Sequence, residues 1–330
     1  MHEASQKSRL IFVGDPAQLP PVGSPISPAL DSAYLRQEHG VEAAEFELTE
    51  VVRQAESSAI LRSATRLREL IGEQREDELE ILPHAGEIES VGAARVCKLL
   101  VDAHRAGKGH DWFFVTQSNS RALQYNLMIR AALFSGDGRE PVAAGDHLMV
   151  IKNDFRTGFS NGDLVRVIGV EGEEETVRIK VGTELVDLSF LDVQLGFRTL
   201  DGSLMQTRCK ILQNALFSEL RGLSPAAQKA LYLDFKRRHS TLRPNTVEFT
   251  NLLEQDAYFN ALHVKFGYAA TCHKAQGGEW ENVVVLFENQ RTNIDALRWA
   301  YTAITRARSR LYGFNLPSKK PWDGSVGQRG

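Results

Sequence analysis

The sequence predicts an α/β fold with a small β-barrel inserted into it, and three observations carry that prediction. Short continuous apolar runs at Leu10–Val13, Trp112–Val115 and Asn282–Phe287 have the length and composition of strands buried on both faces of a parallel sheet. Segments of helical periodicity lie among them. Between His147 and Leu212 the pattern changes to short strands at regular spacing, the mark of a small barrel.

Each element follows in order. Leu10–Val13 reads as a strand ending at Gly14-Asp15, followed by a loop rich in proline (Pro16, Pro20, Pro21, Pro25, Pro28). Ala59–Ile71 reads as a helix carrying Arg62, Arg66 and Arg68. Trp112–Val115 is a strand, and Ser120–Phe134 a helix with Leu123, Leu127, Ala131 and Phe134 on one face. His147–Ile151 and Leu164–Val170 read as strands around a turn at Phe159–Asp163, continued by Val177–Val181, Glu184–Leu188 and Leu204–Leu212. Ser224 and Pro225 open a helix that runs to Arg238. A strand from Phe266 to Ala270 leads into a polar turn. Leu297, Ala300, Tyr301 and Ile304 then mark a helix at i, i+3, i+4, i+7, and Ser309–Phe314 can form a last strand.

Composition bounds the function. The chain has 330 residues, 42% hydrophobic and 25% charged, enough for about two domains at roughly 150 residues each. A net charge of -3 excludes a globally basic nucleic-acid binder but leaves room for a local basic track. No apolar run approaches the roughly 18 residues of a membrane span, and Met1–Lys7 lacks the apolar region of a secretory signal. Cys97, Cys209 and Cys272 form no CxxC pair and no metal spacing. They read as reduced thiols of a cytoplasmic protein.

Four segments carry chemistry. Gly14-Asp15-Pro16-Ala17-Gln18-Leu19-Pro20-Pro21 puts a carboxylate and an amide at the end of a strand, where α/β sheets bind ligands. Gln18 could orient a water or touch a phosphate, and the same residues equally suit a plain proline turn. Leu48-Thr49-Glu50-Val51-Val52-Arg53-Gln54 offers a lone arginine, usually a surface ion-pair partner. Thr271, His273 and Lys274 in Ala270-Thr271-Cys272-His273-Lys274-Ala275-Gln276-Gly277-Gly278-Glu279-Trp280 can all donate to phosphate oxygens. A Cys272/His273 nucleophile pair is the weaker alternative, because sequence neighbours at such a turn seldom face each other. In Trp299–Arg308, Arg306 emerges at the end of a helix. It suits charge stabilisation in phosphoryl transfer or, more simply, a solvated helix C-terminus.

Together the four segments resemble the superfamily 1 DNA helicases of the RecD-like type. GDPAQLPP is similar to their third motif, LTEVVRQ to the fourth, ATCHKAQGGEW to the fifth and YTAITRAR to the sixth, the last two in what the family calls a UvrD-like C-terminal domain. The resemblance implies RecA-like, P-loop NTPase type parallel sheets. The end of a first domain would occupy residues 1–52, a second domain 53–141 and 213–316, an SH3-like barrel 142–212 and a loose tail 317–330. It implies ATP and Mg²⁺ as cofactors, single-stranded DNA as partner and 5′-to-3′ translocation. Gln18 would sense the γ-phosphate, and Arg53 and Arg306 would clamp it. Gly14 and Asp15 would border the nucleotide, Gly277 its phosphates and Glu279 its sugar. Thr271, His273 and Lys274, with Thr116, Ser118 and Asn119, would contact DNA.

One part of that pattern is missing. The 330 residues contain no GxxxxGK[ST] loop to cradle phosphates: Lys7 is the only lysine followed by Ser or Thr, and no glycine precedes it. No trustworthy Walker B carboxylate precedes the third motif. The expectation is a helicase part that does not hydrolyse ATP alone, and a separate chain supplying the phosphate loop is a partner the resemblance allows. A single-strand binding module without catalysis, supported by the basic run Lys236–His239, and a remnant of a broken gene are the alternatives.

Overall fold

The computed structural model describes residues 9–48, 58–76, 79–199, 202–288 and 293–317. In chain order these form α1 (Ser32–His39), α2 (Ala59–Gly72), β1 (Ile88–Val91), α3 (Ala93–Arg105), β2 (Trp112–Thr116) and α4 (Asn119–Phe134). Strands β3 (His147–Val150), β4 (Leu164–Val181), β5 (Glu184–Arg198) and β6 (Leu204–Leu212) follow. Next come α5 (Pro225–Arg238), α6 (Val247–Gln255), β7 (Leu262–Phe266), β8 (Ala269–Thr271) and the single turn α7 (Cys272–Ala275). The chain ends its described part with β9 (Trp280–Leu286), α8 (Ile294–Ile304) and β10 (Ala307–Phe314). Met1–Val91 with Glu279–Gly330 make one compact unit, and Gly92–Gly278 make a second.

In the first unit β1, β10 and β9 run parallel with β10 in the middle, so that Leu311 lies opposite both Ile88 and Val283. Helix α2 buries Ile60, Ala64, Leu67 and Leu70, a stripe at helical spacing, and packs against α8, which buries Leu297, Ala300, Tyr301 and Ile304. The start of α2 is fixed by Ser58, whose hydroxyl accepts from the Leu61 N–H. Glu87 in turn accepts from the Ser58 hydroxyl at 2.9 Å and the Ala59 N–H at 2.6 Å, a carboxylate placed on the positive end of the helix.

The run Leu10–Val13 is not a strand. Ile11 and Val13 are 84% and 87% exposed, and no described strand pairs with the run. A strand is stable only as part of a ladder with a buried face, and these four residues have neither.

In the second unit β2 and β8 form a parallel pair in which Thr116 lies opposite Thr271. Strands β3 to β7 close a barrel, because β7 pairs with both β3 and β6. The closing strand therefore lies beyond residue 212. β4 is one strand rather than two, bent by an irregularity between Glu171 and Glu175. Helix α5, capped by Ser224, lays Ala227, Ala230 and Leu231 on Leu188, Phe190 and Leu212 of the barrel.

Helix α4 does not bury the face its apolar residues suggest. Its buried residues are Ala122, Tyr125, Asn126, Ile129 and Arg130, because two polar side chains anchor it. Asn126 donates to the Ala269 carbonyl and accepts from the N–H groups of Tyr268 and Ala269. Arg130 forms a fully buried bidentate pair with Asp146 at 2.7 and 2.8 Å, and also donates to the carbonyls of Gly138, Glu140 and Pro141. The Tyr268 hydroxyl donates to the same Asp146 carboxylate at 2.9 Å.

Only Gly267 and Tyr268 separate β7 from β8. The Gly267 N–H donates to the His147 carbonyl at 2.8 Å, and a Cβ on Gly267 would lie 2.9 Å from the Leu148 carbonyl carbon. The backbone passes too close to β3 there for any side chain.

Candidate functional site

The predicted residues fall into two groups, one in each unit. In the first unit the loop after Gly14 is a tight turn held by Asp15. The Gln18 N–H donates to the Asp15 carbonyl at 3.1 Å, and the Ala17 N–H donates to its carboxylate at 3.0 Å. Two residues of α8 grip this turn. The Tyr301 hydroxyl donates to the other carboxylate oxygen of Asp15 at 2.7 Å, and the Leu19 N–H donates to the Thr302 hydroxyl at 2.9 Å. Burial and the Asp15 carboxylate both push the Tyr301 phenol up, so it remains a proton donor.

Arg306 follows one turn later and is 3% exposed. Its Nε donates to the Thr302 carbonyl at 2.9 Å and its Nη2 to the Thr305 hydroxyl at 3.1 Å. Thr302 is thus the shared hinge point: its hydroxyl holds Leu19, next to Gln18, and its carbonyl holds Arg306. The Arg306 carbonyl accepts from the Trp280 N–H at 3.0 Å, which brings Glu279 beside the same helix end. Gln18, Asp15 and Glu279 are half-buried, and Gly14 is exposed. The Gln18 side-chain amide also donates to the Asp15 carboxylate, at 3.5 Å, and so lies against the turn it follows. An amide and a buried guanidinium are donors of the kind that suit an anion such as a nucleotide phosphate, while the Asp15 carboxylate only accepts. Arg53 lies outside the described residues. Among the described residues no group of three or more His, Cys, Asp or Glu converges as a metal site.

In the second unit Thr116 and Thr271 stand side by side at the C-terminal ends of β2 and β8, the edge where α/β sheets bind ligands. Thr116 is fully buried, and its hydroxyl donates to the Ser118 carbonyl at 3.1 Å, so it shapes the edge from beneath. Ser118 is exposed and caps α4 by accepting from the Arg121 N–H at 3.2 Å. Asn119, Thr271 and Lys274 line a cavity with Asn126 and Lys265. At about 20 Å³ it has room for one water rather than a ligand.

Two lysines meet at this edge. Lys274 donates to the Arg221 carbonyl at 3.4 Å and Lys265 to the Ser218 carbonyl at 2.6 Å. Burial, then the charge of Arg221, lowers Lys274 to about 8. Burial, then Lys274, lowers Lys265 to about 8 as well. Burial, again with Arg221, lowers His273. Lys265 was missed in the sequence, where it is one polar residue of an alternating strand. Gly277 is exposed in the left-handed region (φ 84°). Cys272 is fully buried, which removes the nucleophile alternative. The basic run at the end of α5 is paired: Arg237 and Arg238 bind Asp234, while Arg238 and His239 reach Asp256.

Residues 266–312, which contain β8, Lys274, α8 and Arg306, match the UvrD-like helicase C-terminal domain. In that region the chain is similar to the C-terminal part of superfamily 1 helicases. The ATP-dependent RecD2 DNA helicase of Deinococcus radiodurans is 25% identical over 331 residues, which cover 96% of this chain and 33% of that protein. The chain thus spans about a third of the length of that relative. An uncharacterized protein of Methanocaldococcus jannaschii, MJ1519, is 39% identical over 57 residues, 17% of the segment and 5% of that protein. Among solved structures, Bacteroides Pif1 bound to ssDNA is 13% identical, with 83% of this chain and 52% of that one covered at a TM-score of 0.37. The Pif1 helicase from Candida albicans is 15% identical, with 93% and 63% covered at a TM-score of 0.35. No helix among the described residues is long and apolar enough to cross a membrane.

Proposed function

We propose that this segment is the part of an ATP-dependent DNA helicase that holds single-stranded DNA and contributes Gln18 and Arg306 to the nucleotide. The observation that supports it best is the double hydrogen bond from the Gly14–Pro20 loop to α8, Tyr301 to Asp15 and Leu19 to Thr302, which ties Gln18 and Arg306 into one frame. The name of the Deinococcus relative, an ATP-dependent DNA helicase, agrees with this reading.

In this reading Gln18 responds to the presence of a terminal phosphate, and Arg306, with Arg53, balances its charge. Gly14 and Asp15 shape the turn beneath, Glu279 takes the sugar, and Gly277 lets backbone approach the phosphates. In the complete motor, ATP with Mg²⁺ would supply the phosphoryl group whose transfer to water drives 5′-to-3′ movement. Thr271, His273, Lys274, Ser118 and Asn119 hold the DNA strand, while Thr116 sets their spacing from below. The second unit then carries the strand, and Gln18, Glu279 and Arg306 of the first unit serve the nucleotide. Because the 330 residues hold no GxxxxGK[ST] loop, they bind DNA on their own without turning over ATP.

The test is a pair of measurements on the purified chain. Expected are salt-sensitive binding of a dT oligonucleotide and no DNA-stimulated ATP hydrolysis. A DNA-stimulated ATPase rate that disappears in Arg306→Ala would overturn the second half of the proposal, and no binding to the oligonucleotide would overturn the first.

A further inference from the structure

The loop between β3 and β4 carries two phenylalanines with opposite fates. Phe159 is buried and packs edge-on against Phe197 at 4.8 Å. Phe155 is 97% exposed. An aromatic ring left wholly in water gains nothing for the fold, so its place calls for another explanation.

The loop does not expose Phe155 by being slack. Asp154 and Phe159 close a tight turn, with the Asp154 N–H donating to the Phe159 carbonyl at 2.8 Å and the Gly158 N–H to the Asp154 carbonyl at 2.9 Å. The Asp154 carboxylate accepts from the Arg156 N–H at 3.0 Å and the Thr157 hydroxyl at 2.9 Å. A second clamp ties the loop to itself, from the Asn161 N–H to the Asn153 side chain at 2.8 Å. The one carboxylate at the tip is therefore spent on the turn, while Lys152 and Arg156, three positions before Phe155 and one after it, are exposed, with Arg156 reaching the Asn260 carbonyl at 3.4 Å.

The same loop borders the lysine edge. A Cβ on Gly162 would lie 3.7 Å from the Lys274 carbonyl, so the base of the loop sits directly on α7. Phe155 is seven residues further out, at most about 25 Å away even along a fully extended chain.

We infer that Phe155 is a stacking platform for a base of the single strand that Thr271 and Lys274 hold. This inference rests on the DNA-binding reading above and extends it onto the barrel. A rigid, exposed ring flanked by two cations and contiguous with a phosphate-binding edge has the chemistry of base-tolerant single-strand contacts: the ring takes the π-face, and the cations take the backbone.

The experiment compares wild type, Phe155→Ala and Phe155→Trp on a dT oligonucleotide and on an abasic strand of equal charge. Phe155→Ala weakens dT binding by about tenfold. It leaves abasic binding and the salt slope unchanged, because no charge is removed. Phe155→Trp binds dT at least as well as wild type, and its added fluorescence is quenched by dT but not by the abasic strand. Unchanged dT affinity in Phe155→Ala, equal losses on both strands, or concentration-dependent self-association lost in Phe155→Ala without any dT effect each overturn the inference. A wild-type chain that binds neither strand overturns the DNA-binding reading and this inference together.

Discussion

The Tyr301 hydroxyl donates to the Asp15 carboxylate at 2.7 Å, across 286 positions of sequence. This one contact fixes where Gln18 can be, because Asp15 also holds the Ala17 N–H and Gln18 follows directly. Tyr301→Phe keeps the ring packed and removes only the donor. The expected loss is about 1.5–3 kcal/mol, the range for a hydrogen bond to a charged group, read as a lower urea midpoint at unchanged slope. The loop around Gln18 becomes more open to protease in the same variant. An unchanged midpoint and cleavage pattern would remove Asp15 from the frame around Arg306.

The buried Arg130–Asp146 pair organises the second unit. Arg130→Ala strips an uncompensated carboxylate and three carbonyls of their donor, and costs about 3–5 kcal/mol in chemical denaturation. The double variant Arg130→Met, Asp146→Leu loses less than Arg130→Ala alone, because no lone charge stays buried. A double variant that is less stable than Arg130→Ala would contradict this account.

Single-strand binding should depend on pH through Lys274 and Lys265. Both are lowered to about 8, Lys274 by burial and then Arg221, Lys265 by burial and then Lys274, with Glu219 acting in the opposite direction on Lys265. A phosphate favours the charged lysine, so binding above that pH requires proton uptake. Affinity is flat below about pH 7 and falls from about pH 8 to 10, by at most about tenfold per unit for each lysine. Folding shows the opposite sign: the charged form is penalised only in the folded state, so stability rises across the same window. Lys274→Arg, which stays charged, flattens part of the affinity loss at constant ionic strength. Affinity independent of pH from about 7 to 9.5 would separate these lysines from the phosphates.

The thiols should react in an order set by burial. Cys272 is fully buried, and burial pushes the half-buried Cys209 up to about 12. Cys97, half-buried and pushed up less, reacts first with a thiol reagent, and Cys272 reacts only on unfolding. Rapid labelling of Cys272 in the native protein would reopen its case as a nucleophile.

What the sequence made legible was local. Helices α2, α5 and α8 and strands β2 and β6 lie where periodicity and capping residues put them, since each is specified by its own residues. Long-range choices were hidden. Nothing local shows that β7 closes the barrel against both β3 and β6. Leu10–Val13 has the composition of a strand, but pairing decides, and no partner is described. The face of α4 was misread because its anchors, Asn126 and Arg130, are polar and become buried only through partners distant in sequence. At the site, the strand-end position of Thr271 was readable, whereas Lys265 and the depth of Thr116 depended on tertiary packing.

The two-residue passage from β7 through Gly267 and Tyr268 into β8 leaves no slack between barrel and sheet. The glycine is pressed against β3, and the tyrosine is bolted to Asp146. The barrel wall and the strand that ends at Thr271 are therefore one continuous run of backbone, pinned at both residues of the passage between them.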